Sequence, residues 1–173
     1  MRYTNFTMNI QTTEIPAKAV PRVAKELLKS NGFLLARLGL GFKAQALARL
    51  EAAGFDPYDY SVLAILDEGA RQAQATIADS LALDPSRLVA LLDSLEERRL
   101  VERQRDPNDR RRHVVSITVK GERQLAELRE IVQELEDEYF APFDEAQRAA
   151  LNELLLMLAC HHDPRCAFRQ DPA

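Results

Sequence analysis

Apolar residues recur along most of this chain at helical spacing, and the stretch that departs from it is the most informative. Residues 1–17 are polar and aperiodic and read as a loose arm. From about Lys18 to Ala53 a long helical pattern runs, with Val20, Val23, Leu27 and Leu28 on one face. Gly32, Gly39 and Gly41 weaken its middle by roughly 1 kcal/mol each relative to alanine, which predicts a kink or a close helix contact. Gly54 ends it as a C′ glycine. Asp56-Pro57 opens the next helix: the aspartate caps, the proline is preset for the first helical position, and Phe55 and Tyr60 form a hydrophobic staple. Val62, Leu63 and Leu66 face a core, and Gly69 stops the helix. A short helix follows from Thr76, over Ile77 to Leu81. Asp84-Pro85 repeats the capping device with Leu83 and Leu88 as staple. The helix from Pro85 to about Arg99 then lines up Leu88, Leu91, Leu92 and Leu95 on one buried stripe.

The other face of that helix carries Ser86, Ala90, Asp93 and Ser94, flanked by Arg87 and Val89. Small and polar residues leave it smooth and without core purpose. Strand-like runs then replace the helical period. Leu100 to Arg105 and His113 to Thr118 read as strands, with the turn cluster Asp106-Pro107-Asn108-Asp109 between them. Thr118 caps a long helix, roughly Val119 to Tyr139. Asp144, with Gln147 as capping-box partner, starts the last one, whose end (Leu151, Leu154, Leu155, Leu156, Met157, Leu158) is apolar nearly all round.

Helix, short helix, tight turn, helix and hairpin, in that order, make a winged helix-turn-helix. The expected class is mainly α, with long N- and C-terminal helices and a small β-hairpin wing. The expected organisation is an arm over 1–17, N-terminal helices over 18–55, a DNA-binding domain over 56–118, C-terminal helices over 119–160 and a tail over 161–173. A free helix face of small residues fits the major groove, about 12 Å wide. Its N-terminus suits phosphate.

Charge sharpens this. The net charge of −4 alone discourages a polyanion partner, but residues 98–113 hold seven arginines against three acids, while residues 126–153 hold nine acids against two arginines. Exposed charges more than about 8–10 Å apart are largely screened, so a ligand meets the local balance. The basic end points to a polyanion. Other classes recede. With 46% apolar content in 173 residues the chain can build a core. There is no 18-residue apolar run and no signal-peptide pattern, and two cysteines make no disulfide framework. A soluble cytoplasmic protein without membrane contact is expected. No phosphate-binding glycine loop, His-Glu-x-x-His or serine elbow is present, so no enzyme, catalytic residue or cofactor is expected.

Three stretches resemble the MarR-type transcriptional regulators. Asp84-Pro85-Ser86-Arg87-Leu88-Val89 through Leu95-Glu96-Glu97-Arg98-Arg99-Leu100-Val101-Glu102-Arg103 is similar to the family's recognition helix running into the first wing strand. Asp106-Pro107-Asn108-Asp109-Arg110-Arg111 resembles the wing tip, and Val114 to Gly121 the wing return and next helix start. Arg99 stands where the family usually has glycine, which predicts a less tight turn. The resemblance spans roughly Leu50 to Leu158.

It implies a homodimer, paired through the first and last two helices, binding a palindromic double-stranded DNA operator and answering to a small-molecule effector, most often as a repressor. The resemblance thus implies dimerisation through both helical segments, 18–55 and 119–160, and a ligand pocket in the first. Its acid-x-Arg pair falls on Asp109 and Arg111: Asp109 would orient the guanidinium, Arg111 would probe the minor groove, and Arg110 and Arg112 flank them. Arg103 and Arg105 are expected to contact phosphate; Ser86, Arg87 and Ala90 are expected to contact bases or backbone. The family's pockets for small aromatic or phenolic acids fall near Arg37, Tyr58 and Tyr60, where Arg37, a cation in an apolar stretch, wants an anion. A ligand carboxylate, Asp59 or Glu68 could each supply it. Two alternatives stay open: a winged helix used as a protein-interaction module, and a metal- or redox-responsive regulator using Cys160, His161, His162 and Cys166. The Cys-x₅-Cys spacing matches no common zinc site, so no metal is expected.

Overall fold

Capping side chains set where the helices begin. The computed structural model describes residues 22–69, 72–106 and 113–166. The chain divides into two compact units, one through Leu38 and the other from Gly39 onward. The long N-terminal helical pattern is split: α1 covers Lys25–Leu28 and α2 covers Asn31–Ala52. The break lies at Lys29 and Ser30, where the Ser30 hydroxyl accepts the Phe33 amide at 3.2 Å, and Gly39 and Gly41 sit inside an unbroken helix. The close contact expected of the glycines occurs at Gly41, where a Cβ would stand 3.3 Å from the Tyr139 hydroxyl.

In the second unit, α3 (Pro57–Glu68) starts with a full capping box. Asp56 accepts the Tyr58 amide at 2.7 Å and the Asp59 carboxylate accepts the Asp56 amide at 2.9 Å. Strand β1 (Gln72–Ala73) leads directly into α4 (Gln74–Leu81), two residues earlier than Thr76 suggests. The turn to α5 (Pro85–Glu97) puts Ala82 at φ 49°, in the left-handed region, while the Leu83 amide reaches back to the Ala78 carbonyl at 2.9 Å.

After α5 the chain reverses sharply. Arg99 sits at φ 60°, its amide donates to the Glu96 carbonyl at 2.8 Å, and the Leu100 amide donates to the Leu95 carbonyl at 2.9 Å. That is a Schellman closure without glycine. The looser turn expected from Arg99 does not form: the two hydrogen bonds hold the residue in a conformation costing roughly 1–2 kcal/mol. Strands β2 (Val101–Arg105) and β3 (His113–Ile117) pair antiparallel, with Val101 opposite Ile117 and Arg105 opposite His113. The sheet has a third strand, in the order β1-β3-β2, with Gln72 opposite Val115. Two residues are too few to leave an alternating pattern, which is why β1 escapes the sequence.

Helix α6 (Val119–Tyr139) is capped by Thr118, and α7 (Glu145–His162) by the Asp144–Gln147 box. The core of this unit joins Val62, Leu63 and Leu66 of α3, Ile77 of α4, Leu88, Leu92 and Leu95 of α5, Val115 of β3, and Leu125 and Leu128 of α6. Leu91, expected with them, is only half-buried. Helix α7 buries nothing: Leu154 and Met157 are 63% and 70% exposed. Among the described residues no helix is long and apolar enough to cross a membrane.

Candidate nucleic-acid interface

Because Leu88, Leu92 and Leu95 anchor α5 in the core, its opposite face is held outward on a rigid base. Ser86, Arg87 and Ala90 are all exposed on it. The first turn is preorganised: Asp84 accepts the Ser86 amide at 2.8 Å and also the Ser86 hydroxyl. The hydroxyl bond first, and the amide after it, hold the Asp84 carboxyl below its ordinary range. The Ser86 amide is therefore occupied by the cap expected of Asp84.

Arg87 brings two separate expectations together. Its guanidinium lies 4.4 Å above the ring of Tyr58, at the start of α3. A residue expected at the DNA thus rests on one expected at an effector, a cation–π contact that restricts where the arginine points. Tyr60 is half-buried against the core, as its staple role requires. Arg37 belongs to the first unit, where it is exposed and, among the described residues, makes no ion pair.

The basic segment is less free than its arithmetic suggests. Arg98 turns inward, 3.7 Å over the Phe55 ring, and donates to the Gly54 carbonyl at 3.2 Å. Arg103 turns back onto α5. Its Nε donates to Glu96 Oε2 at 2.9 Å, its Nη2 lies 2.5 Å from the same oxygen and 2.6 Å from Asp93 Oδ1, and its amide donates to Glu96 Oε1 at 3.2 Å. Hydrogen bonding by Arg103 pulls the Glu96 carboxyl below its ordinary value, and the Glu96 bond raises the Arg103 guanidinium in turn. Arg103, expected at a phosphate, is engaged by two carboxylates through its Nε and Nη2. Arg99 and Arg105 are exposed. Asp109, Arg110, Arg111 and Arg112 lie outside the described residues.

The surroundings of two residues escaped the sequence reading. Arg103 is one: its partner Glu96 lies seven positions back across a helix-to-strand reversal, so no single periodicity links them. Asp59 is the other. It is buried, one carboxylate oxygen has no partner among the described residues, and burial pushes its carboxyl up despite the Asp56 amide bond and the Arg98 charge, which both act the other way. At the C-terminal end the Cys160 thiol lies 3.2 Å from the Cys166 carbonyl and the rings of His161 and His162 meet edge-on at 4.9 Å. Among the described residues no group of three or more His, Cys, Asp or Glu is arranged to hold a metal ion.

Comparison with known proteins bears on this geometry. Residues 53–112 match the model of the MarR family. A MarR-family transcriptional regulator from Rhodococcus sp. RHA1 is 31% identical and superposes with a TM-score of 0.69, over 82% of this chain and 98% of its own. The transcriptional repressor CouR bound to a 23-mer DNA duplex is 32% identical, with a TM-score of 0.72 over 81% of this chain and 99% of its own. CouR from Rhodococcus jostii RHA1 bound to p-coumaroyl-CoA matches at 31% identity and a TM-score of 0.68, over 85% and 100%. A Thauera aromatica protein described as a transcriptional regulatory protein for the hcr operon is 30% identical over 61% of this chain, and the match spans 63% of its length.

Proposed function

The chain belongs to the MarR family of transcriptional regulators, and from that premise we propose that it binds a palindromic double-stranded operator as a homodimer, through α5 and the β2–β3 wing. The carrying observation is the outward face of α5: small at Ser86 and Ala90, cationic at Arg87, and anchored from behind by three fully buried leucines. A relative of similar architecture bound to DNA supports the reading. Two such helices related by a two-fold axis would read half-sites about 34–36 Å apart. The protein would act in the cytoplasm, where the operator lies.

The test is duplex binding by the full chain. If the dimer neutralises on the order of six to ten phosphates, log K should fall against log salt with a slope of about −5 to −9. Arg111→Ala should weaken binding about tenfold or more, because it would remove a charge from the minor groove. A flat salt response together with an unaffected Arg111→Ala would instead favour a protein-interaction module.

We further infer that the regulator is a repressor released by a small aromatic, anionic effector whose carboxylate pairs with Arg37. The exposed Arg37 without an ion pair among the described residues supports the carboxylate pairing, and a relative bound to p-coumaroyl-CoA supports the aromatic character of the effector. A hundredfold release needs a differential affinity of about 2.7 kcal/mol between two dimer spacings. With free phenolic acids as probes, Arg37→Ala should keep operator binding and lose release. Normal release of that variant by an active probe would make Arg37 a bystander.

A further inference from the structure

Ser86, Ala90 and Asp93 are spaced as i, i+4 and i+7, so they share the outward face of α5, and Glu96 follows one turn later. Two carboxylates on a helix meant for a groove lined by phosphates would oppose binding. Asp93 is half-exposed, and nothing in its surroundings other than Arg103 offsets its charge among the ion pairs of the described residues. Arg103 meets both acids at once, with one nitrogen between Asp93 and Glu96. The same contact fixes the wing. β2 is an edge strand, and the Arg103 amide on its outer side is taken by Glu96, so the strand is tied to α5 through backbone and side chain together. A guanidinium fork suits this double engagement, where an ammonium would supply only a point charge.

We propose that Arg103 is a positioning residue that neutralises Asp93 and Glu96 on the DNA-facing helix and fixes the wing to it, and that it contacts no phosphate. Glu96 stays ionised because the Arg103 hydrogen bond lowers its carboxyl, so the charge to be cancelled is real. This rests on the DNA-binding reading. Its consequence is that the basic segment contributes fewer phosphate contacts than its seven arginines imply.

The experiment uses full-length protein and a duplex selected by the wild type from a random pool. Wild-type protein that selects no duplex would overturn the DNA-binding reading, and this proposal with it. Given binding, Arg103→Met should weaken it about tenfold or more. The triple variant Arg103→Met, Asp93→Asn, Glu96→Gln should recover to within about threefold of wild type with the same salt slope. A phosphate contact behaves oppositely: the triple variant stays weak and the slope shrinks by about 0.9 for each phosphate given up, or about 1.8 per dimer, and a slope reduced in this way overturns the proposal. Asp93→Asn alone changes an exposed side chain, so it reports even where Arg103→Met fails to fold. It should bind as tightly as wild type or a few-fold tighter, and tenfold weaker binding would show that Asp93 itself reads the DNA, which sinks the idea.

Discussion

Replacing Gly121 with alanine is expected to destabilise the DNA-binding unit by about 3 kcal/mol, the upper end of what an inserted methyl costs in a packed site. A Cβ at this position would overlap the Leu100 carbonyl oxygen and stand 2.7 Å from Ile117 Cγ1 and 3.0 Å from the Leu100 carbonyl carbon. Neither carbonyl atom can rotate away. The Leu100 oxygen is already the acceptor for the Thr118 amide at 3.0 Å and the Thr118 hydroxyl at 3.1 Å, and that hydroxyl in turn caps Gly121 at 3.0 Å. Alanine's helix preference over glycine, about 1 kcal/mol, pushes the other way and loses to the overlap. At roughly 2–4 °C per kcal/mol for a chain this long, the thermal midpoint should drop by about 6–12 °C. Thermal or denaturant unfolding of the single variant checks this; a midpoint equal to wild type would mean that the α5–β2 reversal and the start of α6 do not pack as described.

The Gly121 contact also shows what could be read from the chain and what could not. Elements defined by local chemistry were legible: Asp56, Asp84, Thr118 and Asp144 each cap the helix their neighbours predict. So was the return strand of the wing, because the β-branched run at Val114, Val115 and Ile117 is a local signal. What escaped depends on residues distant in sequence. Gly121 lies against a carbonyl twenty-one positions earlier, and β1 exists only because β3 offers it an edge. The basic segment illustrates the same limit in the site. Counting charges makes Arg98, Arg103 and Arg105 equivalent, yet Arg98 stacks on Phe55, Arg103 is held by two acids and only Arg105 stands exposed. Composition registers the presence of a charge, whereas function depends on whether another side chain has already claimed it.

Introducing Leu154→Glu together with Met157→Glu is expected to convert the protein to a monomer and to lower operator affinity at least a hundredfold. Neither side chain is buried in the single chain, at 63% and 70% exposure, so the double change leaves the core of the DNA-binding unit untouched. Glutamate is also a good helix former, so α7 loses no propensity. What is removed is the reason for α7 to exist. A helix of 18 residues that fully buries none of them gains little from tertiary packing, which normally supplies most helical stability. Leu155 and Leu158, 39% and 46% exposed, extend the same apolar surface, and monomeric soluble proteins rarely leave such a patch contiguous. In the homodimer proposed above, a second copy of the chain would supply the missing cover and, by two-fold symmetry, would place a second α5 on the DNA. Two added charges per protomer within such an interface would have to be desolvated without partners, at a cost of several kcal/mol. With one recognition helix, binding falls towards the nonspecific level, roughly 10³–10⁷ below a specific complex. Light scattering at micromolar concentration and a gel shift on the selected duplex read the two consequences separately. A wild-type protein that is a monodisperse monomer, or a double variant that remains dimeric with full operator affinity, would remove α7 from the interface and leave its exposed leucines without this explanation.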